Sequence, residues 1–330
     1  MCSSDLINTP QTIQVKLYIT GPVIYVDQDA LTGANNGSCW NDAFRNLSDA
    51  LNFARTGDDI WAAEGSYVTT STYQMKEGVD LYGGFDGTET QLNQRNWTTH
   101  ITILDGNNIV RVINGANNAR LDGFKIQRGS AEGGGGMRNN SCSPTIENCT
   151  FSSNRDNAGL NHYGGGMYNS SASPTIINCV FASNLSSDYG GGLGIQGGSP
   201  LVKGCTFTGN NATGNGGAAM YVNGPATITE CIFTSNQSDY RAGAIYIAGG
   251  TPTISNCIFR GNWTPHSLWC QGGAIFTFGS PIVTNCTFYG NSAQEGGSIY
   301  SYGAASPKIT NCISWGNSAK IGRASCRERV

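Results

Sequence analysis

One stretch of this chain recurs, and the recurrence limits the fold more than any other feature. It is first met as Ser143-Pro-Thr-Ile-Glu-Asn-Cys-Thr-Phe-Ser-Ser-Asn154 and returns six times. The cysteines stand at 149, 179, 205, 231, 257, 286 and 312, in steps of 30, 26, 26, 26, 29 and 26 residues. Three residues before each cysteine is Ile or Val: Ile146, Ile176, Val202, Ile228, Ile254, Val283 and Ile309. Two after it is Phe in six copies, Phe151, Phe181, Phe207, Phe233, Phe259 and Phe288, with Ser314 in the seventh. Five after it is Asn in every copy. Regular periods in this size range mark stacked repeat architectures.

Each unit holds three short β-prone runs, such as Gly166-Met-Tyr-Asn, Pro174-Thr-Ile and Cys179-Val-Phe, separated by Gly, Asn, Ser and Pro. Runs this short are too brief for useful helices. Three strands per turn close a coil, and coils stack at about 4.8 Å, so that each sequence position lies above its predecessor. The expected fold is all-β: a right-handed, single-stranded parallel β-helix with three strands per coil. The hand follows from the rule for parallel crossovers. The position before Cys holds Asn, Gly and one Glu230, and it should adopt the left-handed conformation that a tight bend requires. The repeated Phe should form an internal ladder. The invariant Asn is expected to make an external or turn-lining amide ladder.

Met1–Leu6 and Ile321–Val330 read as in-frame translations of sequencing-adapter DNA. They are set aside from the fold, and the natural segment is expected to be an internal fragment of roughly residues 7–320. Without them the net charge is −4, from 16 Lys+Arg and 20 Asp+Glu, and ten cysteines remain. A weakly acidic chain with no basic stripe argues against nucleic acid as a partner. No apolar run reaches the 18 or so residues of a membrane helix. Seven of the ten cysteines occupy the repeat column, where they read as small buried hydrophobes rather than disulfide partners.

Residues 7–97 form a cap and entry segment, and 98–320 the β-helix, with regular coils over about 134–317. Asn41 to Arg55 is the expected amphipathic helix. Asn41 is placed to cap it, and Ala43, Phe44, Leu47, Leu51 and Ala54 share one face that would cover the first coil.

Ile24-Tyr-Val-Asp27, Trp40-Asn-Asp-Ala-Phe44, Gly57-Asp-Asp-Ile60, Gly83-Gly-Phe-Asp-Gly-Thr-Glu89 and Arg95-Asn-Trp97 resemble the N-terminal region of bacterial surface proteins of the pectin-lyase-like superfamily. The repeats are similar to those of polymorphic outer membrane proteins, with Gly272-Gly-Ala-Ile275, the looser Ala242-Gly-Ala-Ile245, and Phe-x-x-Asn six times over. The resemblance implies an extracellular, cell-surface or outer-membrane setting, with export and anchoring modules in other parts of the chain. It leaves activity open, because fold does not determine function.

Pectate lyases of this fold bind Ca²⁺ with clustered carboxylates, and polygalacturonases group three aspartates. Between 138 and 320 the carboxylates here are Glu147, Asp156, Asp188, Glu230, Asp239 and Glu295, with no adjacent pair. Asp58-Asp59 is an adjacent pair, but it reads as a turn before a strand. His100, His162 and His266 lack metal-ligand spacing. Asp156, Asp188 and Asp239 follow the Phe-x-x-Asn motif. Tyr163, Tyr189 and Tyr240 close the same loops, with His162 and Arg241 beside them. Stacking would bring these eight residues to one edge, as a carbohydrate-binding or Ca²⁺ site; polar loops with surface tyrosines would look the same. The expected function is a non-catalytic, monomeric surface protein of adhesin or stalk type, whose partner is a glycan or a surface protein. A polysaccharide lyase or glycoside hydrolase acting on an acidic polysaccharide is the alternative. No resident cofactor is expected.

Overall fold

The computed structural model describes residues 21–157, 162–265 and 269–320. His266 and both adapter-like ends lie outside them. The chain winds as a parallel solenoid of about ten turns, with an eleven-stranded, a ten-stranded and a nine-stranded sheet. All of the described strand pairs are parallel, and the repeat columns keep the sequence register. Ile146 pairs with Ile176, Ile176 with Val202 and Val202 with Ile228 in the first sheet. Phe151, Phe181, Phe207, Phe233, Phe259 and Phe288 pair in succession in the second. The Gly-Gly segments lead into the third. The coil also has a fourth element that the three-strand expectation omits. Two-residue strands such as Arg155–Asp156 and Leu185–Ser186 form a short five-stranded sheet, with a two-stranded one further along.

The columns explain the interior. The six Phe rings stack with centroids 4.7–5.0 Å apart and planes within 8° of parallel. Ile126, Leu104 and Tyr67 continue the column into the earlier coils. Where Phe gives way to Ser314, its hydroxyl lies 3.0 Å from that of Ser298. The described cysteines are free thiols, and those from Cys149 to Cys286 are buried. Each thiol of the repeat column donates to a backbone carbonyl, as Cys179 does to Ile177 O at 3.3 Å. Burial first, then the neighbouring thiols, raises Cys179 well above its ordinary value, so it stays protonated.

Two left-handed corners turn the chain. The first is the expected one: Asn148, Gly204 and Glu230 have φ of 52°, 63° and 58°. Glu230 is the one residue in this column with neither glycine's freedom nor an Asn side chain. The second corner, at Ser153, Ser183, Gly209, Ser235, Gly261, Gly290 and Gly316, has φ of 54–63°. It lies immediately before the invariant Asn.

That second bend turns the Asn inward, so of the two expected placements the amide ladder is the turn-lining one and is not external. From Asn154 to Asn291 the side chains are buried. Each amide nitrogen donates to the next Asn and to a carbonyl of the preceding coil, that of Ile126 for Asn154 and of a Phe for the others; Asn210 reaches Asn236 Oδ1 at 2.9 Å and Phe181 O at 2.9 Å. The same Asn236 oxygen accepts the Asn210 backbone N–H at 3.0 Å. Buried amides satisfied in this way lose no hydrogen bonding on leaving water.

The helix is shorter than 41–55. It spans Leu47–Phe53, its N-cap position is Asn46, and no side chain caps it. Asn41 and Asp42 lie in a turn, and Phe44 makes a bridge with Val26. Leu47, Ala50 and Leu51 join the continuous core. The first sheet already begins at Val23–Val26, paired with Asp59–Ala63, so the entry segment supplies strands to the solenoid.

Candidate functional site

In the third sheet, Met137, Met167, Leu193, Met220, Ile245, Ile275 and Ile299 face the core. The next residue along each strand faces outward, and these align across the sheet as Arg138, Tyr168, Gly194, Tyr221, Tyr246, Phe276 and Tyr300. A second column, from the preceding loops, aligns Tyr163, Tyr189, Gly216, Arg241, Gln271 and Glu295 by single bridges. The columns interlock. Tyr163 packs on Tyr221 at 4.5 Å, Tyr189 on Tyr246 at 5.2 Å, and the Arg241 guanidinium lies 5.0 Å from the Phe276 centroid. Gly194 makes room for this, since a Cβ there would lie 2.6 Å from Tyr163 Cβ.

The result is an aromatic layer on the outer face. Its inner rings, Tyr221, Tyr246 and Phe276, are buried, while Tyr163, Tyr168, Tyr189 and Tyr300 are half-buried. Phe278 and Tyr302 extend it in the open. Burial raises the phenols of Tyr163, Tyr189, Tyr221 and Tyr246; for Tyr246 the charge of Arg241 acts in the opposite sense. These hydroxyls remain neutral donors and acceptors at physiological pH.

At one end of the layer is a cavity of about 290 Å³ lined by Arg111, Asn114, Gly115, Arg138 and Asn140. Arg111 is pinned by the carbonyls of Glu132, Gly133 and Gly134. Burial, then the like charge of Arg138, draws its pKa down. Arg138 lies over Tyr168 at 5.7 Å, and its Nε is buried without a partner. Two guanidiniums facing one cavity suit an anionic group.

The eight residues expected at one edge are divided by the structure. Tyr163, Tyr189 and Arg241 do come together, in the layer just described. Asp156 does not join them: it is buried, and it accepts from Gly133 N at 3.0 Å and Ser186 Oγ at 3.0 Å. Asp188 is likewise buried, and it accepts from the Asn215 amide at 2.7 Å. Both carboxylates hold loops down, because a loop stacked on its neighbours has backbone and amide donors that need acceptors. Asp239 is half-buried and Tyr240 exposed, with no ring contact among the described residues. His162 turns to Glu132, at 3.4 Å. The residues missed from sequence are Tyr168, Tyr221, Tyr246, Phe276 and Tyr300. Their signal was legible as an aromatic residue directly after the apolar residue in five of the seven Gly-Gly-x-Ile-like runs, Arg138 and Gly194 standing there in the other two.

Among the described residues no group of three or more His, Cys, Asp and Glu could hold a metal ion. In the Asp58-Asp59 turn, Asp58 accepts the Arg55 N–H at 2.8 Å. Asp59 stands in register with Asp80, and Asp80 with Arg120. Burial, with Asp80 and Asp58 adding to it, pushes the Asp59 carboxyl up to about 6. No described helix is long and apolar enough to cross a membrane.

A family model described as "Protein of unknown function (DUF1565)" matches residues 31–200, just over half of the chain. The chain belongs to the DUF1565 family. A second model, described as "Right handed beta helix region", matches residues 166–325. Among solved structures, an alginate lyase from Paenibacillus sp. str. FPU-7 is similar with a TM-score of 0.54 and 12% identity, over 83% of this chain and 93% of that one. A rhamnogalacturonan lyase is similar with a TM-score of 0.52 and 14% identity, over 93% of this chain and 90% of that one. At such identities the likeness establishes the fold, a pectin-lyase-like right-handed parallel β-helix. No curated protein matches the chain significantly.

Proposed function

We propose that this chain is a non-catalytic β-helix that binds an extended acidic polysaccharide across the outer face of its third sheet, outside the cell. The observation that carries this reading is the pairing of an aromatic layer with a two-arginine cavity at its end. Sugar rings present apolar C–H faces that pack on aromatic rings, and their carboxylates suit guanidinium forks. Asp156 and Asp188 are engaged in holding loops, so the face offers rings and cations rather than a carboxylate pair at a hydrolytic separation. The two solved neighbours, named as lyases of alginate and rhamnogalacturonan, support a polysaccharide as the ligand class.

Calorimetric titration with polygalacturonate, alginate and a neutral glucan tests the reading. The acidic polymers should bind in a salt-sensitive manner. Arg138→Gln should weaken them by about tenfold, the loss of roughly 1.4 kcal/mol of charge-assisted bonding. Absence of binding, or binding indifferent to Arg138 and Tyr168, would refute it. Unsaturated uronate absorbing in the ultraviolet would refute the non-catalytic part and favour a lyase.

A further inference from the structure

A second cleft, of about 330 Å³, lies away from the third sheet, at the corner between the first and second sheets. Its walls include Trp97 and Ile101 from the entry segment, and Lys125, Thr150, Asn178 and Val180 from three successive coils. The volume falls within the usual range for small-molecule sites, roughly 300–1,000 Å³.

Its indole wall is held in place by several contacts. Arg95 bonds Asp122 at 2.8 Å and the carbonyl of Gly83 at 3.1 Å. Its guanidinium lies 5.1 Å from the Tyr82 centroid and 4.7 Å from that of Trp97. The Trp97 backbone rests on Gly84, where a Cβ would lie 2.6 Å from Trp97 N. Trp97 nevertheless remains 37% exposed. The indole is thus held by the Arg95 guanidinium and a glycine seat while part of it stays open to water, so a ligand ring can cover that apolar surface.

The polar groups opposite are free to act. Among the described residues Lys125 has no carboxylate within ion-pair distance, and the exposed Asn178 side-chain amide has no hydrogen-bond partner. An aromatic wall, a few apolar contacts, one ammonium and one amide complement a single pyranose ring: the indole takes the C–H face, and the amide and ammonium take hydroxyl or carboxylate oxygens. We infer that this corner cleft is a second, independent carbohydrate site, which takes one pyranose residue of an oligosaccharide against Trp97. Its location on a different sheet separates it from the third-sheet face, so it would let one solenoid hold two glycan chains or a main chain and a branch.

The test is titration of the full chain with short galacturonate, alginate and neutral gluco-oligosaccharides, followed by calorimetry and ligand-observed saturation-transfer NMR. Two classes of sites are expected. Lys125→Ala and Asn178→Ala, each at a side chain without a partner, should weaken one class by roughly tenfold and leave the other as it was. Arg138→Gln should do the reverse. Trp97→Ala should abolish the first class, with its thermal midpoint checked against that of the parent. A single class that responds only to Arg138, no binding of any oligosaccharide, or binding unchanged in both the Lys125 and Asn178 variants would overturn the proposal.

Discussion

Replacing Asn236 by aspartate removes two hydrogens from the centre of the molecule and leaves the shape intact. In the parent the side chain is fully buried. It donates to Asn262 Oδ1 at 2.8 Å and Phe207 O at 3.0 Å. It accepts from the Asn210 side chain at 2.9 Å and the Asn210 backbone N–H at 3.0 Å. A carboxylate keeps both acceptor roles but turns its oxygens towards two other oxygens. Two lost bonds at about 1 kcal/mol each, with partners left short at about 1–3 kcal/mol, amount to about 3–5 kcal/mol at neutral pH. Asn236→Ser retains one donor and buries no charge, so it should cost less, about 2–3 kcal/mol. The two variants also differ in pH dependence. A protonated carboxyl regains one donor, so the folded state favours the acid form and holds its pKa above the unfolded value of about 3.9. Between the two pKa values the folded state binds more protons, and stability falls as pH rises through that window. The deficit of the Asp variant relative to the parent should therefore be smallest below about pH 4 and grow towards neutrality, while that of the Ser variant stays level. Urea denaturation midpoints at both pH values measure this. Equal midpoints for Asp and Ser at neutral pH, or an Asp deficit that does not shrink in acid, would refute the buried amide ladder.

Phe233 stacks at 5.0 Å on Phe207 and 4.7 Å on Phe259, so Phe233→Ala should lower unfolding free energy by about 3–5 kcal/mol. Thr234→Ala, on the outer face, should stay within about 0.5 kcal/mol, and chemical denaturation compares the two. Alkylation of the native protein followed by mass spectrometry should modify the exposed Cys39 rapidly and Cys179, Cys205, Cys231 and Cys257 only after unfolding, with no disulfide among them. Glu230 holds φ of 58° and has only an exposed ion pair with Lys203 at 3.5 Å to lose, so Glu230→Asn should raise the denaturation midpoint by the equivalent of about 1 kcal/mol. Asp59, raised to about 6, favours the folded state most at low pH and loses that contribution as pH rises through about 6. Asp59→Asn should therefore flatten the thermal stability profile between roughly pH 4 and 6, and an unchanged profile would mean that its carboxyl titrates normally.

A parallel, in-register stack turns recurrence in the sequence directly into columns in space, so the sequence by itself determined whatever depends on recurrence alone. The Ile, Cys and Phe columns, the reduced thiols and the left-handed corner at Asn148 and Glu230 are of this kind, because each coil meets the next through the same positions. What the recurrence could not supply was direction around the coil. Whether Asn154 and its successors point in or out depends on the bend one residue earlier. Ser153 and Gly209 look like ordinary polar turn residues until their φ is known. The same angle carries Asp156 into the interior beside Ser186, away from the surface where an aspartate after a turn is usually found. The helix begins only at Leu47, and Phe44, which the apolar pattern placed on its face, reaches the core instead from a bridge to Val26. Tyr163 over Tyr221, Arg241 over Phe276 and Trp97 over its cleft join residues two coils, one coil or a whole segment apart. Only the tertiary structure decided those contacts, because side chains that lean along the solenoid axis leave no periodic trace in the sequence.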